Sequence, residues 1–225
     1  MKFPFFASFI VFCLWLGYQL KKSDKQADSE EKNFWNREAK ANNTRRKSLE
    51  HLDYITIPTQ ILSMEFSPAG NISTDEDSPD SQPVSSRALE CIETLRTLST
   101  AKIVNFTGLT NTDLKLEYGA PNIKLLMEFD QNYTLLARTL QTLAEELFKA
   151  GFIAEAGIIL EFAISTRTDV SQSYFLLADL YERNCQPEKI DELIQTAERL
   201  NTVMKNAIVR TLQGSGPYSG LLRSL

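Results

Sequence analysis

Apolar and polar residues change their pattern several times along this chain, and each change marks an element. Phe3 to Leu20 is an unbroken apolar run without a charge. As a helix it would reach ~27 Å, close to the ~30 Å hydrocarbon core of a bilayer. Residues 23–50 are polar, with Phe34-Trp35 as the large apolar pair. In 51–66 the pattern becomes alternating: Tyr54 and Thr56 interleave with Ile55 and Ile57, and Pro58 closes the run. That predicts a short extended segment, which with no second strand nearby docks against helices. Residues 67–86 hold Pro, Gly, Ser and acids and cannot bury enough apolar surface to order themselves, so a flexible loop is expected.

From Arg87 the period becomes helical. Leu89, Ile92, Leu95 and Leu98 recur every three residues with Cys91 beside them, and Ser85 or Ser86 stands ready as N-cap. Asn105 to Asp113 concentrates side chains that bond their own backbone and reads as an ordered loop. From Ile123 the helical pattern runs nearly to the end. An offset of 34 residues brings like onto like: Leu140 on Tyr174, Leu143 on Leu177, Ala144 on Ala178, Leu147 on Tyr181. The register continues with Gly151 on Cys185, Ala156 on Ile190, Leu160 on Ile194 and Ala163 on Ala197. Similarity at a fixed period marks a repeat architecture.

These residues resemble the tetratricopeptide repeat: a bulky residue, Leu-small, an aromatic and a Gly turn, then small, bulky and small positions in a second helix. The resemblance covers about residues 137 to 204. Cys185 stands where the turn Gly is usual, Ile190 replaces a small residue, and neither copy ends in Pro. Two copies fall short of the three usually needed for stability, so the flanking helices must cap the stack. The arrangement also resembles small membrane-anchored repeat proteins of bacteria, which implies an architecture and no chemistry. The fold expected is therefore all-α: antiparallel helix-hairpin repeats over 87–213 with capping helices, a transmembrane anchor at 1–22 and a flexible tail at 214–225.

Charge refines the picture. The formal net charge is −5, which argues against nucleic acid as a partner. The basic residues concentrate early, with nine Lys or Arg between Lys21 and Lys47, although Asp24, Asp28, Glu30, Glu31 and Glu38 dilute them. Lys21, Lys22 and Lys25 directly after the apolar run place the bulk of the chain in the cytoplasm by the positive-inside bias. Trp15 and Tyr18 near one end fit a membrane interface. A cleaved signal peptide is the competing reading, but no A-x-A-like site follows, and Phe12 before Cys13 does not suit a lipoprotein.

Chemistry is sparse. His51 is the single histidine, Cys91 and Cys185 have no neighbouring His, and Gly214 to Gly220 lacks the Lys of a phosphate loop. No catalytic residue, cofactor or metal is expected. The repeat resemblance implies instead a groove lined by the first helix of each repeat: Arg138, Gln141, Glu145 and Phe148, then Gln172, Phe175, Asp179 and Glu182. It would accept a protein or peptide segment with basic and apolar character. The segment at 52–58 could also fill it. The function expected is a non-catalytic adaptor or scaffold at the cytoplasmic membrane face. The alternatives are an exported cell-surface version, and a small-ligand sensor or enzyme using the polar loop 105–113.

Overall fold

The structure is a computed structural model that describes residues 4–66 and 84–214. It is all-α. Helices succeed one another as α1 (Pro4–Asn42), α2 (Thr59–Leu62), α3 (Ser86–Leu98), α4 (Asn111–Tyr118), a 3-10 turn (Ala120–Asn122), α5 (Ile123–Lys149), α6 (Ile153–Ser165), α7 (Ser171–Arg183), α8 (Pro187–Glu198) and α9 (Lys205–Gln213). The only extended pairing among the described residues is an isolated antiparallel bridge between Tyr54 and Val104. Most of the loop expected at 67–86 and of the tail at 214–225 lies outside the described residues.

The chain divides into two compact units. One comprises Met1–Leu49 with Thr110–Ile123, the other Glu50–Leu109 with Lys124–Leu225. The excursion at 110–123, read from sequence as part of the helical domain, thus clusters with the N-terminal segment.

In the first unit α4 packs against α1. The helix starts where Thr110 and Asp113 form a reciprocal capping box, which satisfies donors that a helix N-terminus leaves open. Arg37 of α1 pairs with Asp113, and Lys115 with Glu38. Glu38 also accepts from Thr112 Oγ1 at 2.6 Å. Among the described residues only Ala41, Leu114, Gly119 and Asn122 are buried here. Asn122 donates from Nδ2 to the carbonyls of Lys47 and Tyr118, each at 2.8 Å, and so ties the 3-10 turn to the segment after α1.

Among the described residues no helix is long and apolar enough to cross a membrane. The helix α1 does not end where its apolar run ends; it continues through Lys21 and Lys22 to Asn42 as one helix. Phe9, Val11, Leu14 and Tyr18 are exposed along the first half of it. The helix runs without a break past residue 22 into the polar residues that follow, and Phe34 and Trp35 are exposed on its surface.

The second unit is a helical stack with one apolar core. The helices α6 and α7, α7 and α8, and α8 and α9 pack pairwise, and α7 also touches α9. Small residues allow the approach: Ala144, Ala156, Ala163, Ala178 and Ala197 are all buried. Bulky residues fill the layers between, with Leu140, Leu143, Leu147, Leu160, Tyr174 and Leu177 fully enclosed. Three helices end in a left-handed residue: Gly151 after α5, Arg167 after α6 and Cys185 after α7. Such an end satisfies the last carbonyls of a helix, and Gly is its usual occupant because it lacks a Cβ. Cys185 does take the turn position predicted for a glycine, at φ 53°.

The segment at 51–66 docks as an extended strand followed by the turn α2. Ile55 N–H donates to the Ile103 carbonyl at 2.9 Å, and Ile57 and Ile61 are buried in the core. Tyr54 meets Phe129 edge-on at 5.9 Å, with Lys102 over its ring. The backbone partner of 52–58 is thus the 103–104 segment, and Phe129 at the start of α5 packs on it.

Candidate functional site

All eight residues expected in a groove stand on α5 or α7, and the two helices are tied directly. Ser173 Oγ donates to Gln141 Oε1, and Gln141 Nε2 donates to Glu145 Oε1 at 2.6 Å. Arg183 spans back from α7, its guanidinium 5.1 Å from the Phe148 ring and its Nε 2.8 Å from Asp179 Oδ2. The helices thereby bring Phe148 together with Asp179, and Gln141 with Glu145. Burial divides the set. Gln141, Phe175 and Asp179 are buried, Glu145, Phe148 and Gln172 are half-buried, and Arg138 and Glu182 are exposed. Phe175 belongs to the core, because α7 is covered on nearly every face: residues 173 to 181 are all buried. The part open to solvent is therefore narrower than the eight positions, and consists of Arg138, Glu145, Phe148, Gln172 and Glu182, with Arg183 against Phe148.

Arg138 lies at a second feature, a cleft of about 450 Å³ that also contains Asp130, Thr134 and Asp169. Burial pushes the Asp130 carboxyl upward, and the Phe106 N–H bonded to it pulls the other way. The acid groups around Arg138 make it a mixed-charge site.

The polar loop 105–113 separates into two parts with different work. Thr110 and Asp113 cap α4. Asn105 instead reaches the end of α6: its Nδ2 donates to the carbonyls of Thr166 at 2.8 Å and Arg167 at 3.2 Å, while its Oδ1 accepts from Thr107 N–H at 2.8 Å. Four segments meet there in a cleft of about 350 Å³, whose lining includes Asp53, Asn105, Thr107, Arg167, Arg199 and Asn201. Gly108 is what lets the loop come so close to the α8–α9 connection. It has φ +87°, and a Cβ built on it would stand 2.3 Å from the Asn201 carbonyl oxygen.

Sequence reasoning singled out Asn105 but missed Arg167 and Arg199. Neither carries a local signal. Arg167 has φ 60°, a conformation that sequence assigns to Gly or Asn and not to Arg. Arg199 is an ordinary cation after a helix. Their meeting in one cleft is a product of the stack.

The thiols stand apart in environment. Cys91 is buried on α3, where desolvation raises its pKa, and Cys185 is exposed at the turn after α7. His51 is exposed. Comparison with known protein families, with curated proteins and with solved structures finds no match.

Proposed function

We propose that this chain is a non-catalytic adaptor whose α5–α7 face holds a protein segment of basic and apolar character, while the apolar half of α1 attaches it to a membrane. One observation carries the reading. The half-buried Phe148 ring sits on a face where Glu145 and Glu182 offer carboxylates to solvent and where Arg183 is already occupied by Asp179 and by the ring itself. An apolar anchor flanked by acids that have no ion-pair partner among the described residues suits an amphipathic basic segment laid along two helices. The burial of the small positions Ala144, Ala163, Ala178 and Ala197 supports a tetratricopeptide-like stack as the scaffold.

Membrane attachment is supported by exposed apolar side chains between Phe9 and Leu20, among them Phe9, Val11, Leu14 and Tyr18, with Lys21 and Lys22 following at once. A surface apolar on every side, followed by cations, is energetically suited to a bilayer with anionic headgroups.

The test is affinity capture from detergent-solubilised membranes with the full chain and with an E145K/E182K variant, whose positions lie outside the apolar core. Partners lost in the folded variant and regained when the partner's basic residues are reversed to acids support the adaptor. Identical captures from both chains would overturn it. Separately, removing residues 1–22 is expected to release the chain from the membrane fraction; retention there would exclude the apolar run as the attachment.

A further inference from the structure

The cleft at the α6 end is assembled in a way that the adaptor reading does not use. Its walls come from the extended segment at 53–56, the loop at Asn105 and Thr107, the end of α6, and the α8–α9 connection. Two arginines line it, Arg167 and Arg199, and among the described residues neither has an ion-pair partner. In a chain of net charge −5, a concave site lined by two arginines against the single carboxylate of Asp53 is a local reversal of sign.

The backbone makes the case more specific. The turn after α6 needs a left-handed residue, as does the turn after α5, where Gly151 supplies it at no steric cost. After α6 the position is taken by Arg167 at φ 60°, a conformation disfavoured for a side chain with a Cβ. The turn is held in place by the two bonds from Asn105 Nδ2 to the Thr166 and Arg167 carbonyls. Backbone strain maintained by a dedicated side chain is characteristic of positions where the residue does something besides turning the chain. The helix dipoles at the ends of α6 and α8 make cations tolerable there. Cys185 takes the equivalent corner after α7 at φ 53°; what distinguishes the corner after α6 is that its left-handed residue is a cation lining a cleft together with Arg199.

We propose that this cleft is a binding site for a small anion, a carboxylate or a phosphate group, engaged by Arg167 and Arg199 together. A guanidinium presents parallel N–H donors that match two oxygens of either group, and charge-assisted bonds of this kind are stronger than neutral ones. The amide of Asn201 and the hydroxyl of Thr107 stand in the same lining as further donors. Asp53 lies at the cleft as its carboxylate, exposed to solvent. It limits the site to a ligand small enough to leave that group hydrated. The site shares no residue with the α5–α7 face, so it stands or falls independently of the adaptor reading.

The experiment is a thermal-shift titration of the full chain in nonionic detergent. Inorganic phosphate and succinate serve as probes, each compared with sodium chloride at equal ionic strength. The expected result is a Tm rise of roughly 3 °C once one probe reaches about tenfold its Kd. Two variants, R167G and R199Q, are expected to abolish the rise. R167G keeps the fold because glycine relaxes the left-handed corner, so its loss of response reports the guanidinium and not damage. A larger response to phosphate assigns a phosphate-bearing ligand, and a larger response to succinate a carboxylate. No rise with either probe, or a rise that persists in both variants, overturns the proposal.

Discussion

The two units of this protein are held together by different forces. In the stack of α5 to α9, enclosed Leu, Ala and Tyr side chains form a continuous core. In the α1–α4 unit, Ala41 and Leu114 are the only buried apolar side chains among the described residues. The remaining contacts there are polar: Arg37 with Asp113, Glu38 with Lys115 and Thr112, Lys115 with Asn42, and Asn122 with two carbonyls. Apolar burial is indifferent to pH and robust to salt, whereas exposed charge pairs contribute little and are screened. One chain thus carries a region stabilised by burial and a region stabilised by geometry and charge.

The sharpest way to break this contrast is to cut into the core. Leu177→Ala, at a fully enclosed position on α7, is expected to destabilise the stack by roughly 2–5 kcal/mol. Chemical denaturation read by circular dichroism measures it. A loss below about 1 kcal/mol would mean the stack relaxes into the cavity, and would deny the tight packing argued here.

The α1–α4 unit should instead fail at its backbone. Gly119 has φ +95°, and a Cβ built on it would stand 2.2 Å from the Arg45 carbonyl oxygen. Gly119→Ala combines a left-handed penalty with a steric clash, and should cost about 2 kcal/mol locally. Hydrogen exchange is expected to accelerate at Lys47 and Ala120, whose N–H groups donate to Tyr118 and Thr44, with no change in the core of α7. Uniform acceleration along the whole chain would show that the two units unfold as one.

The smallest effect separates the units by pH. The Lys115 bond, followed by that of Thr112, holds Glu38 below its usual range; Thr110 chiefly, with Arg37, does the same for Asp113. A carboxylate whose pKa is depressed in the folded state adds stability above its ordinary pKa and loses it as pH falls through the folded value. The α1–α4 contact is therefore expected to loosen on acidification below the usual carboxylate range, and also near ~1 M salt, where screening is short-ranged. Exchange at Asp113 and Leu114 as a function of pH measures this. Protection relative to the intrinsic exchange rate that is independent of both pH and salt would leave the capping geometry as the sole support.

Legibility followed the same division. The helical period of 87–98 and the 34-residue similarity point to α3 and to α5 through α8 because burial on one face imposes a period that sequence records directly. Ser85 as N-cap of α3 and the local bonding of the 105–113 loop were readable for a similar reason: each is satisfied within a few residues. The eight positions expected in a groove do fall on α5 and α7, but Gln141, Phe175 and Asp179 are enclosed by neighbouring helices, which no period on one helix can reveal. The apolar run and the polar residues after it were read as separate segments, whereas α1 carries both in one helix, Pro4–Asn42.

By itself, then, the sequence determined the all-α class, the spacing of the core and the acidic balance of the chain, since these depend on local propensity and on one-dimensional pattern. Tertiary structure alone decided that 110–123 clusters with α1, that Asn105 reaches the end of α6, and that Arg167 and Arg199 share a cleft. Those relations join residues between about 32 and 77 positions apart, and they exist only because packing closes loops whose entropy no local signal encodes.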